Sequence, residues 1–544
     1  MKKISLMATA ILLFAVSCSD ETTVFENPED SIGLENDNNV LVNSIMYDNS
    51  GVLEILEEDS ITGKSSKSAN DEAGDYPLTL VAQIDPPSFS GGENLTATDV
   101  FIDGDYAYVS YNTAGLDYKG GLDIVNISDP NNPYLTARAY SYDKDLNAVY
   151  YKNGYVYIVG GTDEEQSVLA TANSVIIRVA ANGGRLNTSD LTYVYQDGFN
   201  ATDVEVNDNG IFVSSGKDGY IIQYDINSLD IVNEAPFADL RSLSIHNNKI
   251  AVLDASVGVR VLNSDLSEAS QIAINSDFRE GDKRTLAFDD DTIIVSEGSK
   301  GAGIYNANTG NLIEYVPILI NPEGVDQSDI VTNAVAKNED VLLMANGGAG
   351  LCLSEDQGNN TDLVGIIELS GSTNFVASKG DYVFAASGKS GLQIIKLNRP
   401  SDSLEASCAD IPIYSGSRNL NVNEGENVAF RGSKRFNSVN ISGELLLCGS
   451  WTVSNDTNIN DNASFSMNGT YVVGRNNKRK DIKVNENSVF RVEGNLTIYG
   501  DLVLNEGATI EFLGSDSVVN IFGEVKKAAT AEVIGTFDDV RNKF

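Results

Sequence analysis

The stretch Ala97-Thr98-Asp99-Val100-Phe101-Ile102-Asp103-Gly104-Asp105-Tyr106-Ala107-Tyr108-Val109-Ser110 decides the fold of this chain. Two alternating apolar segments flank the turn Asp103-Gly104-Asp105, and this pattern predicts a β-hairpin. A loop containing glycine then leads to a third predicted strand at residues 121–127, and a fourth follows at residues 134–140. Four consecutive antiparallel strands are typical of one blade of a β-propeller.

The hairpin recurs along the chain, and the repeat predicts seven blades. The first strands begin near Thr98, Asn147, Thr202, Arg241, Arg284, Asn333 and Asn374. The last repeat stops after a third strand at residues 392–397, whereas residues 77–84 have the pattern of a fourth strand. We expect this earlier segment to complete the last blade, because that pairing closes the ring and removes two open sheet edges. The predicted seven-bladed β-propeller occupies residues 76–400.

One segment of the first repeat carries a family resemblance. Residues 121–133 read Gly-Leu-Asp-Ile-Val-Asn-Ile-Ser-Asp-Pro-Asn-Asn-Pro. This segment resembles the signature of the LVIVD-repeat propeller family, in which Gly-Leu-x-Ile-Val-x-Ile-Ser-Asp-Pro precedes a second proline. The match is degenerate in the later repeats, and the second carries a long insert at residues 160–174. The resemblance implies a propeller in a bacterial surface setting, and it implies no reaction, because the family offers no general catalytic motif.

Residues 401–544 follow a different repeat. The motif Val422-Asn423-Glu424-Gly425 recurs as Val484-Asn485-Glu486-Asn487 and as Leu504-Asn505-Glu506-Gly507. The last two copies are 20 residues apart, about one turn of a β-solenoid, and the first lies 62 residues before the second, about three turns. We therefore predict an all-β chain in which a small β-solenoid, resembling a right-handed β-helix, follows the propeller. A β-sandwich is the alternative for this region.

The N-terminus has the pattern of a secretion signal. Lys2 and Lys3 precede an apolar stretch at residues 4–16, which is too short to span a bilayer as a helix. The run that ends at Cys18 resembles a bacterial lipobox, and the Ser-Asp-Glu after it resembles the surface-export signal of Bacteroidota lipoproteins. The resemblance implies a signal peptide at residues 1–17 and a lipid on Cys18 that anchors the chain in the outer membrane, facing the cell exterior. A soluble periplasmic protein is the alternative.

Residues 18–75 are rich in Asp, Glu, Asn and Ser, with few apolar residues. Such a composition cannot bury much surface, so we predict a flexible acidic tether between the anchor and the propeller.

Charge and composition exclude several functions. The chain holds 78 acidic and 37 basic residues, a net charge of −41, which repels nucleic acids. His246 is the only histidine, so a Ser-His-Asp triad or a multi-histidine zinc site has almost nothing to be built from. We expect no metal and no resident cofactor. Cys352 lies in an apolar strand pattern typical of a buried thiol, and Cys408 and Cys448 could pair in an oxidising compartment.

A candidate ligand site follows from aligning the seven hairpins, because each blade then presents one polar residue at the mouth of the central channel. These residues are Thr98, Asn147, Thr202, Arg241, Arg284, Asn333 and Asn374. Asp99 and Asp203 lie one position later in two blades, and the arginine forks suit carboxylates, sulfates or phosphates. The alternative is that this ring only lines a polar tunnel, with the aspartates bonding backbone groups between blades.

These observations favour a non-catalytic binding protein that acts through the propeller mouth. Its ligand would be a glycan, a cobamide-like cofactor or a protein partner of an uptake complex. A structural or adhesive scaffold for other proteins is the second hypothesis. A glycan-active enzyme is the third, and it needs a catalytic acid–base set that no spacing in the sequence singles out.

Overall fold

A computed structural model describes the chain at residues 32–46, 51–52, 55–58, 65–66, 78–89, 95–113, 117–276, 278–279, 282–318, 324–338, 341–356, 361–397, 405–408, 411–513 and 517–544. Antiparallel sheets form the blades of a propeller, and parallel sheets form a solenoid after it. The short helices are Asn38–Leu41, Val42–Ser44, Gln327–Asp329 and Glu405–Cys408. Among these described residues, none of the helices has the length and apolar character needed to cross a membrane.

Each propeller blade has four antiparallel strands, counted outward from the central channel. Blade one contains Thr96–Asp103, Tyr106–Asn112, Gly120–Asn126 and Tyr134–Ser141, and blade two contains Lys144–Lys152, Tyr155–Thr162, Ser174–Asn182 and Arg185–Gln196. Blade three contains Asp203–Asn207, Gly210–Ser214, Lys217–Tyr224 and the first half of Ile231–His246. Blade four contains the second half of that strand, then Lys249–Asp254, Gly258–Asn263 and Glu268–Ala273. Blade five contains Leu286–Asp289, Thr292–Ser296, Ala302–Asn306 and Leu312–Val316. Blade six contains Ile330–Asn338, Val341–Gly347, Leu351–Asp356 and Thr361–Ile367. Blade seven contains Phe375–Lys379, Tyr382–Ala386, Leu392–Leu397 and Leu78–Ile84.

The ring closes as the sequence predicts. Leu78–Ile84 pairs antiparallel with Leu392–Leu397 and is the outermost strand of blade seven. The backbone N–H of Ala97 also donates to the carbonyl oxygen of Gly388 at 2.9 Å, which joins blade one to blade seven. Closure therefore uses strands from opposite ends of the propeller sequence, and it removes the sheet edges that an open ring would expose.

The predicted flexible tether is wrong for the described part of residues 18–75. Its strands extend three blades outward: Ile32–Glu35 pairs with Tyr134–Ser141, Ile45–Met46 and Gly51–Val52 pair with Leu78–Ile84, and Ile55–Glu58 pairs with Thr361–Ile367. Leu41 is buried beside blades one and seven. Low hydrophobicity misled the prediction, because a strand added to a sheet edge is held mainly by backbone hydrogen bonds.

Apolar side chains pack between neighbouring blades, and blade one also contains a buried ion pair. Arg138 donates from Nε and Nη2 to the two carboxylate oxygens of Asp123, both at 2.7 Å. The hydroxyl of Tyr111 donates to Asp123 at 2.9 Å, and the Asp123 side chain is 0% exposed. Three buried polar groups thus satisfy one another within a single blade.

The C-terminal region is a β-solenoid, as predicted, and not a β-sandwich. Its short-strand sheet has six parallel rungs: Asn419–Val422, Ser438–Ile441, Thr457–Ile459, Ile482–Val484, Leu502–Leu504 and Val525–Lys527. The other two sides are formed by Asn427–Phe436, Glu444–Val453, Ser464–Val473 and Val489–Ile498, and then by Thr509–Phe512, Val518–Ile521, Glu532–Ile534 and Asp538–Asp539. Register confirms the repeat: Val422, Ile441, Ile459, Val484 and Leu504 stack in successive rungs.

Glycines turn the chain at one corner of the solenoid. Gly432, Gly449, Gly469 and Gly494 stack on one another, and all have positive φ. A Cβ atom on Gly469 would lie 2.3 Å from the carbonyl oxygen of Gly449. Inside, aromatic rings stack along the axis, as Phe465 does on Phe490 at 5.0 Å between centroids.

A disulfide bond connects the segment after the propeller to the solenoid, and a small cavity lies between the two domains. Cys408, which follows the propeller, is bonded to Cys448 of the solenoid, whereas Cys352 is a buried free thiol as predicted. The cavity, of about 40 Å³, is lined by Thr79 and Lys396 of blade seven, by Asn131 of blade one and by solenoid residues that include Tyr499. The solenoid thus packs against the outer strand of blade seven and against a loop between strands three and four of blade one.

Candidate functional site

The seven predicted ring residues lie where the innermost strands begin. They share one edge of the propeller with the loops that join strands two and three and with the connections between blades, because successive strands run in opposite directions. We call this edge the top face. The structure therefore brings Thr98, Asn147, Thr202, Arg241, Arg284, Asn333 and Asn374 to one ring, one residue from each blade.

Most of these ring side chains bond the next blade. The acceptor is the carbonyl oxygen of the residue just before the next ring position: Leu146 for Thr98 at 3.0 Å, Ala201 for Asn147 at 2.8 Å, Leu240 for Thr202 at 3.5 Å, Thr373 for Asn333 at 3.1 Å, and Ala97 for Asn374 at 2.9 Å. The last of these bonds runs from blade seven to blade one. The ring is therefore a belt of hydrogen bonds between blades.

The two ring arginines are buried by protein. Arg241 is 4% exposed; it donates to both carboxylate oxygens of Asp239, at 2.9 and 2.8 Å, and to the carbonyl oxygens of Arg279 and Asp282. Arg284 is 1% exposed and donates to Asn333 at 2.6 Å and to Asp282 at 2.9 Å. Both guanidinium forks already hold protein oxygens, so the predicted anion-binding role is corrected here to a structural one.

Asp99 and Asp203 also join blades. Asp99 accepts the N–H of Val149 in blade two at 3.1 Å, and Asp203 accepts the N–H of Leu243 in blade four at 3.0 Å. Burial is the main cause that raises the pKa of both carboxyls, and the nearby Lys283 ammonium opposes the rise. The alternative in which the aspartates bond backbone groups between blades is the arrangement that the structure has.

Lys283 is the residue of this site that the sequence analysis missed. It precedes Arg284 in blade five, yet its ammonium donates to the carbonyl oxygens of Thr98 at 3.0 Å and Asn147 at 3.1 Å, in blades one and two. The same ammonium lies 3.7 Å from Asp99. Because blade five is across the ring from blades one and two, this side chain fills the centre of the channel mouth. No local sequence signal marks such a long reach.

A third carboxyl lies deeper in the channel. Glu205, on the first strand of blade three, is half-buried, and burial together with the charges of Asp203 and Asp99 raises its pKa to about 8. The backbone N–H of Ile245 opposes the rise by donating to it. Asp99, Asp203 and Glu205 thus lie close enough to interact, and protonation of Glu205 offsets part of their mutual repulsion.

Exposed apolar side chains gather on the top face outside the ring. Val168 and Leu169, in the insert of blade two, are 59% and 50% exposed, and Phe199, on the connection to blade three, is 60% exposed. Tyr142, on the connection between blades one and two, is 52% exposed. The insert is visible in the sequence, but the exposure of its apolar side chains depends on the tertiary structure. Apolar side chains grouped on loops mark a contact surface more often than a structural need.

An aromatic cluster borders this surface. The ring of Phe89 packs edge-on against Tyr140 and Tyr142, with centroids 5.7 and 5.3 Å apart, and the Lys119 ammonium lies 5.7 Å from the Phe89 centroid. Tyr118, between strands two and three of blade one, is half-buried, and burial raises the pKa of its hydroxyl. We define the top-face patch as Phe89, Tyr142, Val168, Leu169 and Phe199.

Within the described ranges, no group of three or more His, Cys, Asp or Glu side chains is placed to hold a metal ion. His246 is half-exposed at a strand end, with Nε2 3.4 Å from Asp290.

Comparisons with known proteins concern architecture. No protein-family model and no curated protein matches the chain. The WD40 β-propeller domain of Doa1 is 14% identical, covering 57% of this chain and 96% of its own, with a TM-score of 0.42. The WD40 repeats of RRP9 are 11% identical, covering 56% and 96%, with a TM-score of 0.43, and the designed protein Ika8 is 12% identical, covering 56% and 98%, with a TM-score of 0.36. The strand pairing described above identifies this chain as a β-propeller followed by a β-solenoid.

Proposed function

We propose that this chain is a lipid-anchored surface protein that holds a partner protein on the top-face patch of its propeller and performs no reaction. The observation that carries the proposal is the exposure of Val168, Leu169, Phe199 and Tyr142, each at least half exposed on adjoining loops. Burying such side chains against a partner is favourable by about 25 cal/mol for each Å² of apolar surface. Aromatic residues such as Tyr142 and Phe199 are enriched at protein interfaces relative to the rest of the surface.

A protein partner fits this surface better than a small ligand does. Lys283 occupies the centre of the channel mouth, and the ring arginines face protein oxygens, so a glycan or cobamide-like ligand would lack the charged fork that the sequence analysis expected. The exposed side chains instead stand on loops around the mouth. Such a surface suits a protein with a broad contact area more than a small ligand, which needs an enclosed pocket.

The placement of the solenoid supports the same proposal. Its contacts with the propeller include Arg541, which donates to Asn132 at 3.5 Å, in the loop between strands three and four of blade one. That loop lies at the edge opposite the top face, because it joins the other pair of strand ends. A partner could approach the top-face patch without displacing the solenoid.

The proposed anchor is Cys18, which lies outside the described residues. A lipid on Cys18, in the outer membrane and facing the cell exterior, would bring the propeller to partners at the cell surface. We expect Cys18→Ala to move the protein from the membrane fraction to the soluble fraction and to abolish incorporation of labelled fatty acid. Unchanged membrane association without label in either protein would contradict the anchor.

The partner surface is tested with a pair of matched variants of the full chain. Leu169→Ser with Phe199→Ser removes two exposed side chains from the top-face patch, and Ile231→Ser with Val232→Ser removes two from the outer strand of blade three, where they are 53% and 60% exposed. Cross-linking on intact cells, followed by identification of the linked proteins, should give one partner with the natural protein and with the control pair. That partner should be lost with the patch pair.

Equal yields of that partner from both pairs would contradict the site. A natural protein that is linked to no specific partner would contradict the function.

A further inference from the structure

We propose a second binding surface, on the solenoid, for a linear acidic polysaccharide. It consists of the outward side of the short-strand sheet and of the loop at residues 474–481, which we call the basic hairpin. This surface is independent of the top-face patch.

The basic hairpin stands out in this acidic chain. Five of the nine residues at positions 475–483 are Lys or Arg, although the whole chain has 37 basic residues against 78 acidic ones. The hairpin exists because the connection from Val473 to Ile482 is longer than the one from Ile498 to Leu502. The backbones of Arg475 and Lys478 bond each other at 3.1 and 2.9 Å, which folds the loop on itself. Arg475, Lys478 and Arg479 are exposed.

The short-strand sheet continues this surface as a row of outward side chains, of which five are polar and one is apolar. Parallel register stacks one outward side chain from each rung, in the order Asn421, Asn440, Asn458, Lys483, Val503 and Lys526. The rungs of a β-sheet are about 4.8 Å apart, so amides and ammonium groups repeat at regular steps along the solenoid axis. Asn440 donates to Asn421 at 3.1 Å and Asn458 donates to Asn440 at 3.0 Å, which orders the amides.

Exposed carboxylates border this surface in the turns that follow the short strands, at Glu424, Asp461, Glu486 and Glu506. The cations lie in the basic hairpin and beside the row: they are Arg475, Lys478, Arg479, Lys480, Lys483, Lys526, Lys527 and Lys543, and the acidic residues beside them are Asp456, Asp481, Asp501 and Glu524. Three of the latter four carboxylates form hydrogen bonds within the solenoid. Asp456, Asp481 and Asp501 each accept a backbone N–H of the following rung, at 2.9, 2.8 and 2.9 Å. The Lys526 side chain pairs with Asp501 and is still 61% exposed.

The shape and charge of the surface select a thin anionic polymer. The net charge of −41 repels a broad anionic surface such as a membrane, because such a surface also faces the acidic residues around the row. At physiological salt, charges farther than about 8 Å from a bound group are screened. A thin chain that lies on the row therefore interacts mainly with the cations beside it. Single-stranded nucleic acid is bound largely by stacking on aromatic side chains, and the outward row contains none. Carboxylate or sulfate groups repeated along a sugar chain can pair with the lysines while the asparagine amides bond hydroxyls.

The test measures the affinity of the full chain for polygalacturonate, with neutral dextran as the uncharged control. The variant is Arg479→Gln with Lys483→Gln and Lys526→Gln. The matched control is Lys300→Gln with Lys379→Gln and Lys389→Gln, which removes three exposed lysines from the propeller. We expect binding that weakens with added salt, a loss of affinity of at least tenfold in the solenoid variant, and less than a twofold change in the control.

Three outcomes would overturn the proposal. One is equal affinity of both variants for polygalacturonate, another is equal retention of the natural protein by dextran, and the third is binding to anionic lipid vesicles or single-stranded DNA that is as tight as binding to the polymer. Fluorescence of Trp451, which is buried in the solenoid, verifies that the solenoid variant is folded.

Discussion

The propeller and the solenoid both place one polar side chain in each repeat, but these side chains have opposite roles. In the propeller the ring residues lie at the centre, and five of them bond the carbonyl oxygen of the next blade. In the solenoid the row from Asn421 to Lys526 points outward, and the interior is filled with apolar and aromatic side chains. A repeated polar position therefore indicates a binding surface only where the repeat turns that position toward solvent.

The largest expected effect tests whether polar groups inside the propeller hold it together. Asp123→Ala leaves the Arg138 guanidinium buried without its anion, which should cost about 3–5 kcal/mol in the free energy of unfolding. The control is Asp208→Ala, which removes the partner of Lys152 from an ion pair of 3.0 Å in which Asp208 is 94% exposed. Thermal unfolding followed by circular dichroism should separate the two variants clearly. Equal midpoints would contradict the structural role.

The second prediction concerns what holds the solenoid. Gly469→Ala should lower its free energy of unfolding by about 2–4 kcal/mol, because the residue has φ +108 and a new Cβ would meet the Gly449 carbonyl oxygen at 2.3 Å. Gly425→Ala is the control, because Gly425 also has positive φ but no atom lies within 4 Å of its Cβ position. Urea unfolding followed by Trp451 fluorescence reports on the solenoid alone, since Trp451 is the single tryptophan. A larger loss in the control would contradict the glycine stack.

The sequence predicted the repeats well because each repeat carries its own periodicity and turn residues. The hairpin around Asp103-Gly104-Asp105, the donated strand at residues 77–84 and the solenoid motif at Val422 all have local signals. The seven predicted positions do form one ring, but most of their side chains bond the next blade, which the sequence did not reveal. Arg241 is also held by the carbonyl oxygens of Arg279 and Asp282, 38 and 41 positions away, and the reach of Lys283 to Thr98 depends on closure of the ring. These contacts join distant positions, so no window of sequence contains them.

The third prediction uses pH to examine the channel. The pKa of Glu205 is about 8, above its usual 4.5, so the folded protein keeps a proton that the unfolded chain loses. The contribution of Glu205 to the free energy of unfolding is fully present below pH 4.5 and is lost as the pH rises toward 8. Between pH 6 and pH 9 the free energy of unfolding should fall by on the order of 2 kcal/mol. We expect Glu205→Gln to reduce this loss, measured as the difference between the unfolding midpoints of the two proteins at each pH.

Taking that difference is necessary because Lys396 acts in the opposite direction. Burial lowers the pKa of Lys396 from 10.5 to about 8, so between these pH values the unfolded chain binds a proton that the folded protein does not. The free energy of unfolding therefore rises with pH over this range. Glu165→Gln, at an exposed position of the blade-two insert, is the control and should leave the pH profile unchanged. A profile for Glu205→Gln that parallels the natural one would show that Glu205 is ionised throughout.

The smallest expected effect compares the two kinds of polar row directly. Asn374→Ala removes the bond of 2.9 Å to the Ala97 carbonyl oxygen, which joins blade seven to blade one, and should cost about 1 kcal/mol. Asn440→Ala removes an amide that bonds only within the outward row of the solenoid, and its cost should stay within about 0.5 kcal/mol, because water replaces the lost partners. Amide hydrogen exchange resolves so small a difference, because Asn374→Ala should speed exchange of the backbone amides at positions 97 and 374, next to the closure, while Asn440→Ala leaves the propeller unchanged. If both variants behaved alike, the ring would be as dispensable to the fold as the row, and the ring residues would again become candidates for binding.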